Sequence, residues 1–218
     1  MDNPFPLLVA ATGLMIVPFL VISLTAFVKI AVVLFLVRSA LGIQQTPPNL
    51  VLYGVTIVLT GYVMSPVLAA SWQALQEGGV SLATLTDPAE LPRALQRGIE
   101  PVRDFLTRLT TPADRAFFLQ AAQEMHATTG VGPSESDLFI LAPSFVTAEL
   151  TRAFEIGVLL YLPFIVIDLV ITNILTAMGM MMVSPMVTSL PFKLLLFVAV
   201  DGWSRLTHGL VMSYVPGA

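Results

Sequence analysis

Lys29, Asp168, Lys193 and Asp201 each lie in a stretch built mainly of Leu, Ile, Val and Phe. An ionisable group in such surroundings is expensive unless it has a partner or a task. Lys29 can snorkel its long stem towards the Arg38 side, or pair across subunits. Asp168 can accept hydrogen bonds from Thr172 and Asn173, or pair with Lys193; structural pairing is expected over ion transport. Glu149, Arg152 and Glu155 are spaced i, i+3, i+6, which on a helix lets Arg152 bridge both carboxylates. That spacing suits an ion-pair network at a membrane edge, and proton handling by either glutamate is the sharper alternative. On one continuous helix counted from Lys193, His208, Asp201 and Arg205 fall at about 60°, 80° and 120°, a polar stripe facing a wet channel or a neighbouring subunit.

No other chemistry has the residues it needs. The chain has no Cys, so thiolate nucleophiles, disulfides and Cys-based metal sites are excluded. His126 and His208 are far apart, and no HExxH or GxSxG pattern occurs. No catalytic, metal-binding or cofactor-binding residue is therefore assigned. With ten Lys plus Arg scattered through a chain of net charge −4, nucleic acid is not an expected partner.

Five of the ten methionines fall between Met178 and Met186. Three successive residues sweep about 200° of a helix, so Met180, Met181 and Met182 cannot share a face. Gly179 and Pro185 bracket them and predict a turn. Methionine is flexible and polarizable. In one chain these side chains would fill gaps; in a ring of copies they would form a deformable apolar gasket.

The elements that must position these residues are membrane helices. Of the 218 residues 56% are hydrophobic and only 11% charged, with a mean hydropathy of +0.87; a soluble domain carries about 25% charged residues. Four apolar blocks stand out: Pro4–Val37, Leu50–Ala70, Ile156–Met178 and Leu190–Met212. The first three are long enough to span a bilayer, which takes roughly 20 residues. The fourth is long enough but too polar to face lipid all round. The N-terminus lacks the basic start of a cleaved signal peptide and is expected to stay as an anchor. Between Glu77 and Asp137, nine acidic and five basic residues mark an extramembrane segment. It holds two helical patterns, Ala89–Leu109 with an apolar face for a partner and Ala113–Ala127 capped by Thr111-Pro112. The expected fold is all-α: a helical hairpin over 1–72, an acidic helical domain over 73–142, and a second hairpin with the methionine-rich loop over 143–218. Arg38 and the acidic middle place the Arg38 loop inside, and the N-terminus and middle domain outside.

Several motifs in one order then point to a family. Leu41-Gly-Ile-Gln-Gln-Thr-Pro-Pro-Asn49 and Met64-Ser-Pro66 resemble the FliP/SctR proteins of flagellar and type III secretion export gates. So do Phe145-Val-Thr-Ala-Glu-Leu150, Ala153-Phe-Glu-Ile-Gly157 and Pro163-Phe-Ile-Val-Ile-Asp-Leu169. Met178-Gly-Met-Met-Met-Val-Ser-Pro185, Leu190-Pro-Phe-Lys-Leu194 and Val200-Asp-Gly-Trp203 complete the set. The resemblance covers most of the chain and fades in the acidic middle. It implies a pentameric ring joined by smaller S/Q-type and T/R-type subunits in the bacterial inner membrane, raised towards the periplasm. Such a gate conducts unfolded proteins and is closed at rest. The family's methionine gasket would correspond to Met180, Met181 and Met182, and Lys29, Glu149, Arg152, Glu155, Asp168, Lys193 and Asp201 would be intersubunit or intramembrane contacts. Val183-Ser-Pro185 and the missing signal peptide favour the injectisome branch. The rival reading is a proton- or ion-coupled transporter relaying through Asp168, Lys193 and Asp201; it predicts internal repeats, which the sequence lacks.

Overall fold

In a computed structural model, residues 15, 18–43, 45–78, 91–125, 132–180 and 182–215 are described. They are helical almost throughout, with no strand among them. The helices are α1 (Phe27–Leu41), α2 (Asn49–Glu77), α3 (Leu91–Leu109), α4 (Pro112–Met125), α5 (Leu138–Ala177), α6 (Pro185–Ala199) and α7 (Gly202–Met212). They belong to two compact units. One takes the chain up to Val28 together with Met64–Glu149; the other takes Lys29–Val63 and Leu150–Ala218. The boundaries fall inside α2 and α5.

The first apolar block is not one helix. Residues 18–23 are helical, the chain turns at Leu24–Ala26, and the Thr25 hydroxyl accepts from the Phe27 amide as α1 begins. At 1.5 Å per residue α1 is about 22 Å long, short of the roughly 30 Å hydrocarbon core. It is mainly apolar and buries Ile30, Val33, Leu34, Val37 and Leu41 together with Lys29. It ends where Gly42 takes a φ of +77°, a conformation that suits glycine at a helix C-terminus.

Among the described residues two helices are long and apolar enough to cross a membrane, α2 with 29 residues and α5 with 40, or three spans if the bent α6–α7 pair counts as one. Only 11% of the most apolar stretch of α5 is buried within the chain. The fourth apolar block is broken: α6 and α7 meet at a 60° bend. The break sits at Val200-Asp201, where Asp201 has a φ of +52°. Asp is one of the few residues other than glycine that visit this region.

In the first unit, Thr111 opens α4. Its hydroxyl accepts from the Asp114 amide at 3.1 Å and donates to the Asp114 carboxylate at 2.6 Å, and Pro112 takes the first helical position. Arg115 ties the corner by donating to the Thr107 carbonyl and Thr110 hydroxyl. The apolar face of α3, expected to meet a partner, is in part covered by the chain itself. Phe105, Leu106 and Leu109 are buried, and the Phe105 ring lies 5.8 Å from that of Phe145 on α5. α5 starts at Leu138, earlier than the second hairpin expected from residue 143. Ser134 and Asp137 form its entry turn, and Pro143 lies inside the helix.

Candidate functional site

α6 presents Ser189 and Lys193 one turn apart on one face, and α5 brings Asp168 to meet them. The Lys193 ammonium donates to Asp168 Oδ2 at 2.6 Å and to the Ala40 carbonyl at 3.2 Å. The Ser189 hydroxyl donates to Asp168 Oδ1 at 2.5 Å. Ala40 lies in the last turn of α1, where carbonyls lack intrahelical partners and carry partial negative charge. Lys193 thus sets its charge between a carboxylate and a helix C-terminus. Its side chain is 3% exposed, and that of Asp168 is 36%. Sequence reasoning left Asp168 between two sets of partners. Thr172 donates to the backbone carbonyl of Asp168 and not to its carboxylate. Ser189 was missed, although its i, i+4 spacing from Lys193 was the available signal.

Lys29 is 1% exposed, with its ammonium 3.7 Å from the centre of the Tyr214 ring, close enough for a cation–π attraction. Glu149, Arg152 and Glu155 follow one another along α5. Glu149 is fully buried, whereas Glu155 is exposed and forms no ion pair among the described residues. The double bridge through Arg152 is therefore not made on the Glu155 side. The single polar stripe drawn through the fourth block also fails. The bend separates Lys193 on α6 from Arg205 and His208 on α7, and exposed Asp201 occupies the bend itself. The Asp201-Gly202 pair, a turn signal, could have revealed this. Among the described residues no group of His, Asp and Glu could hold a metal ion.

The methionine run forms the turn between α5 and α6. Gly179, with a φ of +72°, ends α5. The Met180 amide bonds to the Leu175 carbonyl at 2.9 Å and the Gly179 amide to the Thr176 carbonyl at 3.0 Å. This pair of bonds is the Schellman motif. Pro185 then starts α6. Met178, Met180, Met182 and Met186 are all exposed, Met182 completely; Met181 lies outside the described residues. An exposed run of flexible thioethers at a fixed turn can close against similar apolar surfaces and can be pushed aside by them.

A family model described as the FliP family matches residues 10–210. The chain is 52% identical over 209 residues to the "Yop proteins translocation protein R" of Yersinia pestis, with 95% of each chain covered. It is 44% identical to the "Hypersensitivity response secretion protein HrcR" of Ralstonia nicotianae, over 95% of this chain and 96% of that one. It is 43% identical to the "Flagellar biosynthetic protein FliP" of Pectobacterium carotovorum, over 95% of this chain and 77% of that one. The higher identity to the translocation protein sides with the injectisome branch over the flagellar one. A match running through α1 to α7, with half the residues shared by a relative of nearly equal length, leaves no ambiguity of family: this chain belongs to the FliP family.

Proposed function

We propose that the chain is a core subunit of a type III secretion export gate. Copies of it, with S/Q-type and T/R-type helical partners, form a pentameric ring around a passage for unfolded proteins. The assembly resides in the bacterial inner membrane as a multi-pass complex projecting towards the periplasm. Residues 73–142 form its extramembrane part. The observation that carries this reading is the methionine turn. A Schellman motif and a helix-starting proline hold it in place, yet its apolar side chains lie exposed. In a ring, Met180, Met181 and Met182 of successive copies would meet and seal the passage. Family membership and the names of the translocation and secretion relatives support the same role. So do the bare apolar surfaces of α2 and α5, which call for lipid or neighbouring subunits. Exposed Glu155 and Asp201 are the charges best placed to meet a neighbouring copy. Lys29, Glu149 and the Asp168–Lys193 pair would set the register of helices within each subunit.

The reading is tested by native mass. Co-expressed with its candidate partners and extracted in mild detergent, the chain should run as one defined species of several copies plus partners. A monodisperse monomer that ignores those partners would defeat the proposal. In the assembled gate, replacing Met180, Met181 and Met182 together with Ala should leak small solutes. A gate that seals as tightly as wild type would remove the gasket role and leave the subunit role standing.

A further inference from the structure

A cavity of about 450 Å³ opens in the second unit between α1, α5, α6 and α7, within the range of roughly 300–1,000 Å³ that small-molecule sites occupy. Its walls are Val37, Ile156, Leu160, Phe164, Leu206 and their apolar neighbours, and among the described residues Arg205 is the only charged one lining it. Arg205 is exposed and makes no ion pair among the described residues. Its amide bonds to the Asp201 carbonyl at 3.1 Å, four residues back at the start of α7, where exposed Asp201 supplies no side-chain cap. Two glycines shape the space. A Cβ on Gly202 would strike the Phe197 ring at 2.4 Å, so the bend packs tightly there. A Cβ on Gly209, which also lines the cavity, would meet nothing within 4 Å. Exposed Trp203, edge-on to Phe197 at 5.3 Å, stands beside the site. Tryptophan and arginine together are typical of the level where lipid headgroups meet hydrocarbon.

We propose that this cavity holds an acyl chain of one anionic phospholipid, with its phosphate on the Arg205 guanidinium. The apolar walls accept hydrocarbon, and the Arg205 guanidinium, which lines the cavity where Asp201 does not, selects a negative headgroup by charge. The inference rests on the chain residing in a membrane and not on its acting as a gate.

The test uses the full chain in mild detergent, titrated with phosphatidylglycerol or phosphatidylcholine and followed by native mass spectrometry. Wild type should retain one phosphatidylglycerol and discriminate against phosphatidylcholine. R205Q should weaken phosphatidylglycerol binding about tenfold, the loss of one charge-assisted contact, and bring the two lipids level. G209L should fill the cavity and abolish retention while thermal melting stays unimpaired. Equal uptake of both lipids by wild type would overturn the proposal, as would undiminished retention by G209L. Disulfide cross-linking of G209C to a second copy, with no lipid bound, would also overturn it and give the cavity to a neighbouring subunit.

Discussion

Lys193 is the residue on which the second unit turns. Its buried ammonium reaches a carboxylate on α5 and a carbonyl on α1 from its own position on α6, so three helices share one charge. Removing one partner of a buried pair leaves the other charge stranded, which costs about 3–5 kcal/mol. D168N should sit near the lower end, at about 3 kcal/mol, because its carboxylate is 36% exposed. The loss will appear as a lower midpoint in thermal melting in detergent. The double variant D168N/K193M should recover most of it, since no charge is then left unpaired. If the double variant melts as low as the single one, the pair is not what holds these helices. An ion relay through Asp168 would show a different signature: D168N would abolish pH-dependent transport whatever the state of Lys193.

At the scale of elements, the α5–α6 turn depends on Gly179. An alanine there would be forced into the left-handed region at about 1–2 kcal/mol. G179A should lower the melting midpoint, and G179N, which tolerates that region better, should do so less; equal melting of all three would show the turn to be adaptable. This turn was legible beforehand because glycine and proline announce their backbone needs locally. So was the start of α4, from Thr111-Pro112. Three features were not. α5 extends back to Leu138 because its first turns pack Phe145 against Phe105, a tertiary gain that overrides Pro143 as a helix breaker. The break at Asp201 hid inside an uninterrupted apolar run, where hydropathy is blind to one residue with positive φ. The choice of Lys193 over Thr172 and Asn173 for Asp168 depended on which helices lie side by side, which no local pattern encodes.

For the whole molecule, the bare surface of α2 decides how copies could meet. Gly54 and Gly61 lie on it, and a Cβ on either would meet nothing within 4 Å. Small residues let membrane helices approach closely. In the proposed ring, G54L and G61L should leave the melting of the isolated chain unimpaired. They should lower the yield of assembled complex about tenfold, the ratio that 1.4 kcal/mol produces, as read by native mass. Full assembly of both variants would turn that face towards lipid. The second unit also has a history written into its connectivity. It joins Lys29–Val63 to Leu150–Ala218, and Tyr214 covers the ammonium of Lys29. During translation α1 emerges early, while the ring that covers its lysine and the ammonium that takes the Ala40 carbonyl are still untranslated. The early helices must wait, through the synthesis of the whole middle of the chain, for partners encoded far downstream. A stop codon placed ahead of Tyr214 would therefore do its damage at α1, far from where the message was cut.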